Sequence, residues 1–147
     1  MDENFVSKAY HISTDKSKLN LQIIHKFLSE DSYWSKNIPV EIVKKGIENS
    51  LCFGVYFNDE QVGFARIITD YVSFGYLADV FILPDHRGKG LSKWLMEEIM
   101  NYPDIKGLRR IMLATADAHE LYRKYGFTTP ANPDRIMEVH RPNVYNN

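Results

Sequence analysis

The chain has 147 residues, 44% apolar and 25% charged, with a formal net charge of −1. That length suits one domain with a real core, so a single domain over 1–147 is expected. The near-neutral balance argues against a nucleic-acid partner, because the densest basic cluster (Lys106, Arg109 and Arg110) is too small for a phosphate-backbone footprint. No run approaches the ~20 apolar residues of a membrane span, and Met1–Phe5 lacks the basic start and apolar stretch of a signal peptide. No membrane partner is expected. The single cysteine, Cys52, lies in the apolar run Leu51–Phe57 and reads as a buried structural thiol in a reducing cytoplasm. The histidines are scattered without metal-ligand spacing, so no metal is expected.

In chain order, Phe5–Ile12 is predicted as a first strand. Leu19, Ile23, Ile24 and Phe27 repeat at helical spacing, giving a helix over Leu19–Leu28. A second helix over Glu41–Glu48 follows Pro39, and the polar, aromatic loop Ser32–Asn37 joins the two. Leu51–Phe57 and Gln61–Thr69 alternate as strands about the turn Asn58-Asp59-Glu60, predicting an antiparallel hairpin. Tyr76–Leu83 is a third apolar strand, closed by Pro84. Gly88–Met100 is predicted helical, with Leu91, Trp94, Leu95 and Ile99 on one face. A strand at Arg110–Ala114, a helix at Asp117–Tyr125 stopped by Gly126, and a last strand at Ile136–His140 complete the order. Antiparallel strands followed by β-α-β units indicate a mixed α/β sheet with helices on both faces.

Chemistry concentrates where the third strand runs into Arg87-Gly88-Lys89-Gly90-Leu91-Ser92 and then a helix. The first N–H groups of a helix lack internal partners and carry the positive end of its dipole. Glycine lets a phosphate approach them closely, and Arg87 and Lys89 add charge. The glycines alone fit an ordinary strand-to-helix turn equally well. The spacing matches neither a P-loop nor the dinucleotide fingerprint.

The same turn resembles the (Q/R)-x-x-G-x-(G/A) signature of the GNAT superfamily of N-acetyltransferases, with Ser92 in place of the final small residue. Ala118-His119-Glu120-Leu121-Tyr122-Arg123-Lys124-Tyr125-Gly126-Phe127 looks like the family's A-x-x-L-Y-x-x-x-G-F segment. The two helices ahead of a hairpin also match the family's order, and the resemblance covers nearly the whole chain.

The resemblance implies a mostly antiparallel sheet of about six or seven strands, splayed where acetyl-CoA binds. It implies that the N–H groups of Gly88, Lys89, Gly90, Leu91 and Ser92, beside Arg87, hold the pyrophosphate. The strand edge at Phe81, Ile82 and Leu83 would pair with the pantetheine arm, and an N–H near Ile82 would meet the oxyanion. Thr115 stands where many members place an Asn that contacts that arm. Tyr122 matches the position that commonly protonates the leaving thiolate, and it lies beside the cofactor; otherwise it packs on Phe127. Asp79 is a candidate base that shares a face with Phe81 by alternation; otherwise it is a structural carboxylate paired with a cation. Tyr33, Trp34, Tyr71 and Tyr76 are the candidate acceptor-binding residues. The implied activity is acetyl transfer to an amine of a small molecule or peptide, by a cytoplasmic monomer or homodimer. A non-catalytic CoA-binding module of the same fold is the alternative.

Overall fold

The computed structural model describes residues 5, 6 and 8–146. Five strands form one sheet in the order β1-β2-β3-β4-β5. They are β1 (Tyr10–Ser13), β2 (Leu51–Phe57), β3 (Glu60–Thr69), β4 (Phe74–Ile82) and β5 (Arg110–Met112). The first four pair antiparallel and β5 joins β4 in parallel. The helices are α1 (Leu21–Lys26), α2 (Val40–Glu48), α3 (Leu91–Asn101), the short α4 (Pro103–Lys106) and α5 (His119–Arg123). The mixed, mostly antiparallel sheet with helices on both faces is as expected, although five strands form rather than six or seven.

Two expectations fail at the ends. Phe5 and Val6 are helical, and the first strand begins only at Tyr10, after a left-handed Ala9 (φ 68°) turns the chain. Phe5 instead stacks on Trp94 with ring centroids 4.9 Å apart. Ile136–His140 forms no strand among the described residues.

Alternation, shifted by one residue within β4, builds two cores. Phe53, Ala65, Leu77 and Ile82 face α3, where they meet the buried Leu91, Trp94, Leu95, Met96 and Ile99. Their sequence neighbours Cys52, Phe64 and Phe81 face the other way, against Ile24, Phe27, Leu28 and Val43 of the α1–α2 layer. Each fully buried aromatic of this kind contributes roughly 2–3 kcal/mol. Asn20 caps α1, its side chain accepting from the Ile23 N–H at 3.1 Å. α1 widens into a π-type turn over Phe27–Asp31, which ends at an extended Ser32. That widened turn sets the loop over the sheet.

Candidate active site

β4 is where the sheet opens. Its ladder with β5 covers only Phe74–Tyr76 against Arg110–Met112. Beyond Tyr76 the two strands go separate ways, so one edge of Leu77–Ile82 faces a gap. Leu83 donates its N–H to Val62 on β3 at 2.8 Å. Antiparallel alternation therefore turns the N–H and carbonyl of Ile82 away from β3 and toward the gap. There the Ile82 carbonyl accepts from Arg87 Nε at 2.8 Å. Arg87 thus braces the strand end, and the Leu83 N–H is spent on the sheet. Phe81 and Ile82 are buried by their side chains, and only backbone is on offer at this edge.

A bulge interrupts β4. Arg66 pairs with Ala78 and Phe64 with Phe81, so Asp79 and Val80 together face the single residue Ala65. Asp79 is the extra residue and is left-handed (φ 56°), a conformation that Asp tolerates better than most side chains. Asp79 and Phe81 do lie on the same side of the sheet, but the bulge puts them there, with Ala78 also paired on that side. The Asp79 carboxylate accepts from Arg66 Nε at 2.6 Å and from Trp34 Nε1 at 2.8 Å. Arg66 also donates to Ser50 Oγ at 3.0 Å. The pair is largely enclosed, with side chains 21% and 11% exposed for Arg66 and Asp79. It forms the polar floor of a pocket of about 370 Å³ between the sheet and the α1–α2 layer, whose walls include Ile24, Leu28, Val43 and Tyr145.

The loop after α1 spans the gap. It is a built loop: Ser32 Oγ donates to the Leu28 carbonyl at 2.6 Å and accepts from the Ser35 N–H at 3.1 Å, and both serines are buried. Phe27 stacks on Phe81 at 4.1 Å and anchors it from below. Trp34 reaches Asp79 on β4. Tyr33, edge-on to Trp34 at 5.0 Å, reaches the other bank, where its Oη accepts from the Ala116 N–H at 2.9 Å. The two adjacent aromatics therefore straddle the opening between β4 and the segment that follows β5.

The second bank carries Tyr122 on α5. Its ring meets Phe127 edge-on at 5.9 Å. Burial, and then the neighbouring Tyr33 and Asp117, push its phenol up to about 12. Thr115 Oγ1 accepts from the Ala118 N–H at 3.0 Å and caps α5.

At the end of β4, a short 3₁₀ turn at Pro84–His86 leads into the glycine turn. Tyr10 Oη and His86 Nδ1 are 2.7 Å apart and tie this turn to β1. Gly88 (φ 78°) and Gly90 (φ 89°) are both left-handed, and Gly90 is the N-cap of α3 without a side-chain cap. A Cβ on Gly88 would meet nothing within 4 Å, and one on Gly90 would meet only Phe5 Cζ at 3.5 Å. The turn is therefore open, and the first N–H groups of α3 face outward without side-chain partners. Leu91 can offer only its N–H, since its side chain is buried in the core.

The sequence profile of the acetyltransferase (GNAT) family matches residues 21–127. The chain belongs to the GNAT family of acetyltransferases. A candidate acetyltransferase of Gibberella zeae is 34% identical over 145 residues, covering 83% of this chain and 80% of its own. A crystal structure from Xanthomonas campestris pv. campestris, a candidate GNAT-family acetyltransferase, is 51% identical, with a TM-score of 0.92 over 94% of this chain and 97% of that one. A Clostridium acetobutylicum acetyltransferase structure with acetyl-CoA shares the fold at 19% identity, with a TM-score of 0.65 over 89% of this chain and 94% of its own.

Within this GNAT domain the predicted site residues separate into two groups. Tyr33, Trp34, Asp79, Phe81, Ile82, Thr115 and Tyr122 gather around the opening, and the Arg87–Ser92 turn lies at the end of the same strand. Tyr71 sits in the turn between β3 and β4 (φ 67°), and Tyr76 lies on β4 where the β5 ladder ends. Among the described residues, neither ring contacts Tyr33 or Trp34. Arg66, Ser50 and Ala116 belong to the site and have no place in the sequence expectations. A lone cation within the apolar run Phe64-Ala65-Arg66-Ile67 is the one signal that points to Arg66. Ala116 contributes only its backbone N–H, which no residue type reveals.

Proposed function

We propose that this chain transfers an acetyl group from acetyl-CoA to an amine that enters through the opening spanned by Tyr33 and Trp34. The carrying observation is the convergence, at one gap in the sheet, of the outward Ile82 N–H, the open glycine turn and the half-buried Tyr122 phenol. The turn fits the donor: two left-handed glycines leave room for a diphosphate against the N–H groups of Gly88–Ser92, with Lys89 beside them. When bound, acetyl-CoA supplies an activated acetyl carbon and a thiol leaving group.

The remaining roles belong to the chain. The Ile82 N–H is a donor for negative charge developing at the gap. Tyr122 retains its proton at Oη through neutral and moderately alkaline pH, so it is available as the acid. Asp79 is better suited to positioning than to abstraction. Each of its oxygens already accepts a hydrogen bond, and protonating it would leave the largely enclosed Arg66 without its counter-charge. Asp79 therefore fixes Trp34, and with it the rim of the acceptor site, while the amine proton leaves to water. Trp34 and Tyr33 offer ring faces and edges to an amine cation before it is deprotonated.

The test is incubation with acetyl-CoA and a panel of small and peptidyl primary amines, followed by free-thiol release, with donor affinity measured by calorimetry. Acetyl-CoA binding with amine-dependent thiol release is expected. Binding without release on any amine would favour a non-catalytic CoA-binding module. No binding at all would overturn the proposal.

A further inference from the structure

The pocket behind Asp79 combines an apolar body with a charged end. Ile24, Leu28, Val43, Ile47 and Phe64 surround a volume of about 370 Å³, at the lower end of the range for small-ligand sites. Its charged lining is Lys45, Arg66 and Asp79. Two cations and one anion leave a single positive charge. Such walls suit an aliphatic chain, and the charge suits one anionic group.

Arg66 is fixed in this pocket and keeps free donors. Its Nε donates to Asp79 at 2.6 Å and its Nη1 to Ser50 Oγ at 3.0 Å. Ser50 Oγ in turn donates to the Gly46 carbonyl at 2.7 Å, which ties the guanidinium to α2. A guanidinium has five N–H donors, and among the described residues the remaining ones meet no partner. Gly46 leaves its face uncovered, since a Cβ there would stand 3.6 Å from Arg66 Cζ and Nη1. A planar fork held in place with free N–H groups matches a carboxylate. A phosphate dianion would exceed the single positive charge.

The pocket adjoins the opening through Asp79. One of its oxygens meets Arg66 in the pocket, and the other accepts from Trp34 at the rim. Ile82 follows three positions along β4, roughly 10 Å away at the usual rise of a strand. We infer that the acceptor is a small ω-amino carboxylic acid, with its carboxylate on Arg66, its aliphatic spacer in the pocket and its amine at the gap. This rests on the acetyl-transfer reading above and names the acceptor class within it. On transfer the amine nitrogen bonds the acetyl carbon and loses one proton, the carbon–sulfur bond breaks, the thiol leaves protonated, and the carboxylate is unchanged.

Octanoate tests the pocket without turnover. Calorimetry on the full chain is expected to show octanoate binding, with octanamide and octylamine weaker by about tenfold or more. In the transfer assay, octanoate is expected to compete with the amine and not with acetyl-CoA, and ω-aminooctanoate to exceed octylamine in kcat/KM by about tenfold or more. Lys45 is exposed on α2. Lys45→Glu reverses the charge at the pocket, and Gly46→Leu covers the guanidinium. Each is expected to keep its far-ultraviolet circular dichroism and to weaken octanoate binding about tenfold. Amine acetylation without octanoate binding overturns this inference and leaves acetyl transfer standing. Octanoate affinity unchanged in a folded Lys45→Glu variant overturns it too, as does inhibition that does not compete with the amine. Octanoate binding with no amine acetylated overturns the transfer reading, and the acceptor role with it.

Discussion

Tyr122 and Asp79 show how far a residue's type predicts its chemistry. Burial raises the Tyr122 phenol, so it holds its proton across the working range. Tyr122→Phe is expected to lower the turnover number roughly a hundredfold or more while leaving acetyl-CoA affinity near wild type, measured by thiol release and calorimetry. Unchanged turnover would reduce Tyr122 to a packing residue against Phe127. Asp79 is committed to Arg66 and Trp34. Asp79→Asn strands a largely enclosed guanidinium and is expected to cost about 1–3 kcal/mol in urea unfolding. As a positioning residue, Asp79 leaves the shape of the pH–rate profile unchanged in this variant while the KM for the amine rises. Loss of the acidic limb of the profile would instead make it the proton acceptor.

The deciding elements are the widened turn after α1, the bulge in β4 and the glycine turn before α3. The first seats Tyr33 and Trp34 over the gap, and the second turns Asp79 to meet them. The third combines two separable effects at Gly90, whose φ is 89°. Gly90→Ala introduces only the strain of a left-handed Cβ, about 1–2 kcal/mol, and is expected to lower the melting temperature with a modest effect on acetyl-CoA binding. Gly90→Glu adds bulk and negative charge where a diphosphate would lie and is expected to weaken binding beyond calorimetric detection. Equal affinities for wild type and Gly90→Glu would make the turn a plain connection. Of these the glycine turn was legible in the sequence, as were the helices and the hairpin, because helical periodicity, the Asn58-Asp59-Glu60 turn and glycine-marked turns are local signals, whereas the widening of α1 over Phe27–Asp31 leaves no such mark. The β4 bulge was not legible either, since an extra residue becomes visible only when the facing strand, at Phe64 and Arg66, is in place.

Across the whole molecule, two cores back a single sheet, and both bury ionisable groups. Burial pushes the Cys52 thiol from 9.0 to about 11, and the Tyr56 and Tyr122 phenols from 10.0 to about 12. The unfolded chain releases these protons first, so rising pH favours unfolding. Stability is expected to be unaffected by these groups below pH 9, to fall as pH rises from 9 to 11 with Cys52 and to fall further toward 12 with the two tyrosines. Cys52, 1% exposed, accounts for up to about 3 kcal/mol of that loss. Urea midpoints measured against pH check this, and Cys52→Ala is expected to remove the first step. A midpoint independent of pH through the alkaline range would contradict the burial of these groups.

By itself the sequence determined the family, the order of the inner elements and the residues of the glycine turn, because each depends on neighbours within a few positions along the chain. Tertiary structure alone decided what the side chains do. Asp79 meets Arg66 only across a strand pair, and Tyr33 reaches Ala116 across 83 positions. The alternation of Ile136–His140 encodes a strand, but a strand needs a partner edge. The sheet ends at β1 and β5, and among the described residues neither edge pairs with this segment.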